Sequence, residues 1–307
     1  GTITDGDIRR SLIKGFDLSS KVITCMSKNF SYLYENEISL KSIISFRERK
    51  IYLIPIINKK NEIIKIIDLY NFKSYLEVDC FIMAGGKGER LLPLTKNTPK
   101  PMLKVGKKPI IEHNINNIVK YGIDKLFISI NYLGEQIEDY FMDGKSRGLD
   151  INYIKEEKFL GTVGSIALVE NFHNDYILLM NSDVYTNINL EEFYIKAIST
   201  DSDISIATIP HTIKIPYAIL EFDNDIVNKL SEKPSKTFYA NAGIYLLKRK
   251  LIKQIPKNKL YNITDLIQKV IASNGKVVKY MIDGYWIDIG DKDQYDRANM
   301  LEKSRIG

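Results

Sequence analysis

The chain has 307 residues, of which 44% are hydrophobic and 27% charged, so it is long enough for two domains and has the composition of an ordinary soluble globular protein. No apolar run approaches the ~20 residues of a membrane span, and the opening GTITDGDIRR does not resemble a signal peptide, so we expect a cytoplasmic protein without membrane contact. The formal net charge of +6 comes from scattered lysines, which argues against nucleic-acid binding and suits a phosphate-rich small substrate.

The first elements in chain order form two unequal copies of one pattern. Residues 1–15 predict the end of a strand, an Asp-Gly turn and a helix that starts at Asp7. From Lys21 onward, an extended stretch leads to a predicted helix near residues 38–47. The strand IYLIPII, a polar turn at residues 58–61 and the strand EIIKIID follow, and this order predicts a hairpin.

The pattern changes near residues 75–79. From Cys80 onward, short apolar strands (CFIMAG, KLFISINY, INYIKE, YILLMNSD, DISIATI) alternate with helices (PIIEHNINNIVKYG, EQIEDYFMDG, SIALVENF, LEEFYIKAI). This alternation predicts an α/β domain with a parallel sheet and crossover helices. The later segments YAILEFDNDIVNKLSEKP and TFYANAGIYLLKR predict antiparallel strands joined to that sheet. We therefore expect one domain over residues 1–76 and a larger one over residues 77–307.

A glycine-rich loop follows the first strand of the larger domain. Gly85, Gly86 and Gly88 let the backbone turn tightly and point its N–H groups at an anion. Arg90 follows, where a guanidinium would clamp phosphate oxygens, and Lys100 stands between two prolines that fix its backbone. The spacing departs from both GxGxxG and GxxxxGK[ST], which disfavours a dinucleotide site and a P-loop. These residues predict a phosphate site of another kind.

The segment AGGKGERLLPLT…PKPMLKVGKKPIIEH resembles the signature of the sugar-phosphate nucleotidyltransferases, the superfamily of glucose-1-phosphate thymidylyltransferase and mannose-1-phosphate guanylyltransferase. The resemblance implies a Rossmann-like fold, a mixed and mostly parallel sheet with flanking helices. It also implies in-line attack of a sugar 1-phosphate on the α-phosphorus of a nucleoside triphosphate, with release of pyrophosphate. Ala84 would then join the glycines in binding the nucleotide, and Arg90 and Lys100 would be catalytic. The attacking phosphate is already an anion, so positioning and charge neutralisation suffice for catalysis.

Two aspartates are the candidate metal ligands. Asp183 ends the apolar strand in LLMNSDV, and Asp288 follows an apolar run in GYWIDIGD. Mg²⁺ is held by one or two carboxylates together with substrate phosphates, so this pair suffices. By resemblance, both aspartates bind Mg²⁺ in the family. The alternative is that each of them only caps a helix.

The sugar phosphate has its own candidate residues. The segment SEKP resembles the family's Glu-Lys-Pro, in which Lys233 would be a catalytic cation and Glu232 would hold sugar hydroxyls. The segment YANAGIYLL resembles the family's Asn-x-Gly strand, where Asn241 would face the sugar and Gly243 would leave room for it. The alternative for an exposed Glu-Lys-Pro alone is an ordinary turn.

The nucleobase would lie near a second glycine loop. LGTVGS resembles the family's loop under base and sugar, which assigns Gly161 and Thr162 to nucleotide binding. Just before it stand Glu156 and Glu157, in a neighbourhood where thymidylyl- and uridylyltransferases commonly offer a glutamine. A carboxylate only accepts hydrogen bonds and suits the adjacent donors of guanine, so we expect GTP. The alternative is an exposed acidic pair without a ligand.

Residues 1–76 resemble a CBS-domain region. GTITDGDIRRSLIKG resembles the closing segment of one CBS motif, and residues 21–72 resemble a second, complete one. By resemblance, Thr4 and Asp7 would contact the phosphate and ribose of an adenosyl ligand. The second copy departs from the pattern, with Asp68 and Asn71 at the matching places. We expect a regulatory or dimerising module with a possible nucleotide site, and a homo-oligomer.

This domain order resembles the guanylyltransferases of legionaminic acid pathways, which use glucosamine-1-phosphate. The narrower expectation is therefore GMP transfer from GTP to that sugar phosphate. Within the class, mannose-1-phosphate guanylyltransferase or another NDP-sugar pyrophosphorylase is the alternative. From another class, the alternative is a CBS-type nucleotide sensor whose transferase domain is inactive.

Overall fold

The chain folds into two units, the first ending at Tyr75 and the second beginning at Leu76. This computed structural model describes the backbone of residues 1–306 and the side chains of residues 1–305. Within that range, no helix combines the length and apolar character needed to cross a membrane.

The first unit is a small sheet with one packed helix. In chain order it contains α1 (Asp5–Ile13), α2 (Val22–Cys25), β1 (Leu33–Tyr34), α3 (Leu40–Glu48), β2 (Leu53–Ile57) and β3 (Ile63–Asp68). Strand β1 is parallel to β2, and β2 is antiparallel to β3, so the predicted hairpin is confirmed. Buried side chains of α3 and the strands form a core of their own: Leu33, Ile43, Phe46, Ile54, Ile56 and Ile67.

Helix α1 begins with a reciprocal pair of hydrogen bonds. The Thr4 hydroxyl accepts from the Asp7 N–H at 3.3 Å, and the Asp7 carboxylate accepts from the Thr4 N–H at 2.8 Å. This is a capping box, which satisfies two backbone donors that have no partner inside the helix. Both side chains thus have a local role in starting α1. The predicted strand end at the start of the chain is a single bridge between Thr2 and Ser27.

The second unit contains a large seven-stranded sheet and several short strands outside it. Its strands are β4 (Val78–Met83), β5 (Lys104–Val105), β6 (Lys108–Pro109), β7 (Lys125–Ile130), β8 (Asp150–Lys155), β9 (Tyr176–Asn181), β10 (Val184–Thr186), β11 (Ile204–Lys214), β12 (Ile219–Asp223), β13 (Ile226–Ser231), β14 (Ser235–Lys248), β15 (Val277–Met281) and β16 (Trp286–Asp288). Its helices are α4 (Ile110–Val119), α5 (Glu135–Phe141), α6 (Leu190–Ser199), α7 (Ile263–Ala272) and α8 (Lys292–Ile306).

The large sheet is mixed and mostly parallel. Its strand order is β15-β11-β14-β9-β4-β7-β8, and every pairing is parallel except the two made by β14. The predicted α/β fold class is confirmed for this unit, including the antiparallel strand within the sheet. Three short ribbons accompany it, which pair β5 with β6, β10 with β16 and β12 with β13.

The centre of the sheet is covered on both faces. All residues of β4 and β9 are buried except the last one of each strand. This burial explains their nearly continuous apolar sequence, which is typical of strands that lie between two helical layers. The core on one face joins these strands to α7 through Phe81, Ile177, Leu179 and Leu266.

One predicted helix was wrong. The segment SIALVENF forms part of a 3₁₀ turn over Gly164–Leu168 and continues without regular structure. The reason is tertiary: the N–H groups of Val163 and Gly164 both donate to the carbonyl of Tyr261, at 3.1 Å each. These hydrogen bonds hold the loop against the segment that contains Tyr261, in place of the backbone bonds of an α-helix. A local sequence pattern carries no information about such a contact.

Candidate active site

The two central strands bring the glycine loop and Asp183 together. Strands β4 and β9 are parallel neighbours, and Met83 lies opposite Asn181 at their carboxyl ends. The loop of residues 84–88 continues from β4, and Ser182 and Asp183 continue from β9. Both therefore emerge at the same edge of the sheet, the usual location of ligand sites in open α/β sheets.

The glycine loop is closely packed on one side and open on the other. Gly88 has φ +67°, and a Cβ there would lie 3.0 Å from the Cβ of Lys100. A Cβ at Gly85 would lie 3.0 Å from a carboxylate oxygen of Glu156, whereas a Cβ at Gly86 would meet nothing within 4 Å. The loop thus rests on Lys100 and Glu156, and its middle faces free space.

A cleft opens beside this loop. Its main part has a volume of about 540 Å³ and is lined by residues 85–90 with Lys100, Asn131, Phe159, Asp183 and Gly290. A smaller part of about 170 Å³ shares Gly85, Gly86, Lys100, Phe159 and Asp183 with it, and adds further polar side chains: Ser129, Glu156, Thr162, Asn181 and Ser182. The main part alone is large enough for a small-molecule ligand.

Hollows of greater volume lie elsewhere in this unit. One of about 660 Å³ is lined by residues that include Asp201, Lys248 and Arg249, and one of about 800 Å³ lies beside α8. Neither contains the glycine loop or the two candidate metal ligands. Convergence of phosphate-binding and metal-binding groups, and not volume, marks the candidate site.

The two candidate metal ligands meet at Lys100. Strand β10 pairs with β16 so that Val184 lies opposite Asp288, which brings Asp288 beside Asp183. The amine of Lys100 donates to Asp183 Oδ2 and lies 3.9 Å from Asp288 Oδ1. Lys100 is only 9% exposed, so one buried cation holds two carboxylates.

The surroundings of the carboxylates fit a divalent cation. The buried Oδ1 of Asp183 has no hydrogen-bond partner. Burial and the charge of Asp183 raise the pKa of Asp288, although Lys100 and Arg90 oppose the shift. A bound cation would satisfy the unpaired oxygen and relieve the repulsion. No cluster of three His, Cys, Asp or Glu side chains suited to a metal occurs among the described residues, so other ligands would come from substrate and water.

Arg90 completes the cationic side of the cleft. It lies in a short 3₁₀ turn at Glu89–Leu91 that follows the glycine loop. A Cβ added at Gly290 would lie 3.5 Å from the Arg90 guanidinium, which places Arg90 beside the turn that follows Asp288. The structure thus gathers Arg90, Lys100 and both aspartates around the glycine loop.

The structure separates the two glutamates. Glu156 is 7% exposed, and its Oε2 accepts from the Leu160 N–H at 3.0 Å. Burial raises the pKa of its carboxyl group, and the bond from the Leu160 N–H opposes that shift. Glu156 therefore lines the cleft and joins the two glycine loops. Glu157 is exposed and does not line the cleft.

The second glycine loop is in the cleft wall. Gly161 and Thr162 both line its smaller part. Gly161 has φ +81°, and a Cβ there would lie 2.6 Å from the carbonyl oxygen of Tyr261. The Thr162 hydroxyl accepts from the Ile263 N–H at 2.8 Å, so this loop is fixed against the start of α7.

The four predicted sugar residues are not among the residues that line this cleft. Glu232, Lys233 and Asn241 do not line it; Lys233 and Asn241 are exposed. Gly243 approaches it indirectly, because a Cβ at Gly243 would lie 2.5 Å from the side-chain nitrogen of Asn181, which does line it. The assignment of these four residues to the sugar remains a prediction.

Several lining residues were missed in the sequence. Asn131 and Asn181 stand at or just past the carboxyl ends of β7 and β9. The predicted strands KLFISINY and YILLMNSD contained the signal that could have found them, because polar residues at the carboxyl ends of such strands commonly face a ligand. Phe159 lines both parts of the cleft and is 52% exposed. The sequence offered no signal for Phe159, because its place depends on how the 156–160 segment folds back.

A family model described as "Nucleotidyl transferase" matches residues 80–305, and it thus covers well over half of the chain. The chain belongs to the nucleotidyl transferase family. Members of this family generally use a divalent metal, in agreement with the paired aspartates. The matched range lies within the second unit.

Named relatives in this family agree with the match. The bifunctional protein GlmU of Methanococcus maripaludis strain C7 is 32% identical over 222 residues, which are 69% of this chain and 51% of that protein. The mannose-1-phosphate guanylyltransferase of Mycobacterium tuberculosis is 29% identical over 231 residues, 73% of this chain and 64% of that protein. The chain thus spans about half the length of the first of these relatives.

Solved structures share the fold of this nucleotidyl transferase unit. A putative glucose-1-phosphate thymidylyltransferase from Bacillus anthracis has a TM-score of 0.60 at 25% identity, over 73% of this chain and 94% of that one. HddC from Yersinia pseudotuberculosis complexed with GMP-PN has a TM-score of 0.56 at 25% identity, over 73% and 99%.

Proposed function

We propose that the protein transfers a nucleoside monophosphate from a nucleoside triphosphate to a sugar 1-phosphate. An oxygen of the sugar phosphate attacks the α-phosphorus, a new phosphorus–oxygen bond forms, and the bond to the β-phosphate breaks to release pyrophosphate. The observation that carries this proposal is the meeting of the glycine loop, Lys100, Asp183 and Asp288 in one cleft.

In this proposal the chain acts by binding and charge neutralisation. The backbone N–H groups of residues 84–88 hold the triphosphate, and Arg90 and Lys100 stabilise the charge that builds up on its phosphates. Lys233 neutralises the sugar phosphate, with Glu232, Asn241 and Gly243 around the sugar. His113, His173 and His211 do not line the cleft, in keeping with a nucleophile that is already an anion.

Asp183 and Asp288 would hold a divalent metal ion, which we propose to be Mg²⁺. Bound there, the ion would supply Lewis-acid neutralisation of the triphosphate. The chain contributes the unpaired Asp183 oxygen and the second, repelled carboxylate.

We propose GTP as the nucleotide and glucosamine-1-phosphate as the sugar phosphate. A buried Glu156 carboxylate offers acceptors only, which suits the N–H and NH₂ donors of guanine. A guanylyltransferase among the relatives and a similar structure with GMP-PN support this choice. Mannose-1-phosphate with GTP is the runner-up, and a uridylyltransferase from Synechocystis is also a relative. The narrower assignment to the guanylyltransferases of legionaminic acid pathways rests on domain order and on the argument from Glu156 and Glu157.

For the first unit we propose a CBS-like regulatory role over residues 1–76, with catalysis in residues 77–307. The support is the resemblance and a separate core around Ile43 and Phe46. Unchanged kinetics and oligomeric state after deletion of residues 1–76 would dispose of this role.

The decisive experiment measures pyrophosphate release from each of the four common NTPs with Mg²⁺ and a panel of sugar 1-phosphates. We expect release with GTP that depends on the sugar phosphate and is lost in Asp183→Asn. A clear preference for UTP or dTTP removes the guanine proposal only. No release with any pair contradicts the transferase proposal and favours the nucleotide-sensor alternative.

A further inference from the structure

The ribbon formed by β12 and β13 has one apolar face and one largely polar face. Leu220 lies opposite Leu230, and Phe222 lies opposite Val227. Directly paired residues project on the same face, and Leu220 and Phe222 are two residues apart on β12, so both pairs share one face. The register shift between Glu221 and Phe222 leaves Asn228 as an extra residue in β13, which keeps Val227 and Leu230 on that face although they are three residues apart. The other face carries the ion pair of Glu221 and Lys229, with Asp223, Ile219 and Ile226.

The apolar face is open to solvent. Leu220, Phe222, Val227 and Leu230 are between 49% and 68% exposed. An isolated two-stranded ribbon is only marginally stable in water. Covering four large apolar side chains on one of its faces would add hydrophobic stabilisation.

The two ends of the ribbon carry opposite charge. The tip is the tight turn Asp223-Asn224-Asp225-Ile226, in which Asn224 and Asp225 have positive φ, and it presents two carboxylates. The root, where the ribbon joins β11 and β14, carries three amines, on Lys214, Lys233 and Lys236, and one carboxylate, on Glu232, so it is basic on balance. A ribbon that is acidic at one end and basic at the other is complementary to itself when turned end to end.

We propose that this face is a docking surface for a second copy of the chain. A two-fold axis would stack the apolar faces of two ribbons in opposite directions, so that each acidic tip meets the basic root of its partner. Five residues of strand span ~17 Å, so tip and root of stacked ribbons fall within range of each other. A membrane surface fits less well, since it favours a uniformly basic rim.

The test is sedimentation velocity of the full chain over a dilution series. We expect a dimer whose dissociation constant rises at least about tenfold in Val227→Glu, as for a central contact residue of an interface. The matched control is Ile226→Glu, which places the same charge at the next residue on the opposite face. Both positions are exposed, and circular dichroism checks that the fold is retained.

The electrostatic part has its own test. The pair Asp223→Lys with Asp225→Lys should weaken the dimer, and so should the pair Lys214→Asp with Lys236→Asp. Combining all four changes restores the complementarity with its sign reversed and should restore the dimer. Lys233 is left unchanged because it belongs to the proposed sugar-phosphate site.

Three results would overturn the proposal. A wild-type chain that stays monomeric through the whole series has no such interface. A dimer that responds equally to Val227→Glu and Ile226→Glu, or not at all, uses another surface. If the variant that combines all four charge changes dimerises no more tightly than either double variant, the end-to-end arrangement is contradicted.

Discussion

At the scale of single residues, the centre of the site is a buried cation between two carboxylates. Lys100 contacts Asp183 and Asp288, and its stem packs against Gly88. Removing one member of a group of buried, paired charges destabilises a protein strongly, because the remaining charges are left buried without a partner. This loss of stability is far larger than the net contribution of the whole group. In the absence of ligand, Lys100 therefore acts as the counter-ion of the carboxylates.

We expect Lys100→Met to lower kcat by about 10²–10³-fold, because one stabilising cation is lost from the phosphates. The same variant should bind Mn²⁺ more tightly without nucleotide, since the amine no longer competes for the carboxylates. Electron paramagnetic resonance titration measures this binding, and the exposed Lys104→Met is the control. Equal or weaker Mn²⁺ binding in Lys100→Met would show that the amine and the cation do not compete.

Glu156 gives a prediction on pH. Burial raises the pKa of its carboxyl group above 4.5, so folding favours the protonated form. That contribution to stability is full below the unfolded pKa and is lost as pH rises through the folded pKa. The Gln side chain in Glu156→Gln cannot ionise, so this variant does not lose stability in that way. Its free energy of unfolding should therefore rise relative to that of the wild type between pH 4 and pH 7. Urea titrations at several pH values measure the difference, and a constant difference would contradict the shift.

At the scale of elements, glycine has a different role in each of the two glycine loops. Gly161 is locked by its positive φ and by the Tyr261 carbonyl, whereas Gly86 faces open space. The second loop therefore needs glycine for folding, and the first needs it for access of a ligand. Glycine is thus required for two different reasons in the two loops that form the walls of one cleft.

We expect Gly161→Ala to lower the free energy of unfolding by about 1–3 kcal/mol, from backbone strain and the clash with Tyr261. Gly86→Ala should change it by less than about 0.5 kcal/mol and instead weaken triphosphate binding, because its methyl group enters the cleft. Urea unfolding and nucleotide titration separate the two effects. Equal destabilisation by both substitutions would refute this division.

At the scale of the whole molecule, the hydrophobic clusters of the two units share no residue among those that the structure describes. Ile43 is fully buried in the first unit, and its cluster contains only residues of that unit. Leu179 is fully buried in the core of the second unit. Separate cores allow the two units to unfold in separate steps.

We expect Ile43→Ala to destabilise the first unit by about 2–5 kcal/mol while the unfolding of the second unit stays in place. Leu179→Ala should do the reverse and also abolish pyrophosphate release. Differential scanning calorimetry of both variants of the full chain measures the transitions. A single transition that moves in both variants would mean that the units unfold together.

Sequence patterns alone were enough to predict the alternation of strands and helices, the glycine loop, the basic residues that follow it, and the two aspartates. These signals are local, because periodicity and loop chemistry are encoded in adjacent residues. For the same reason the sequence indicated the family before any contact was known.

Which of these residues meet depends on contacts between distant segments of the folded chain. The pairing of β10 with β16 joins Asp183 to Asp288 across a long stretch of chain, and the contact of Gly164 with Tyr261 replaces a predicted helix with a turn. Glu156 turned inward while Glu157 turned outward, although they are neighbours in sequence. Such outcomes depend on packing between distant segments, which no local pattern contains.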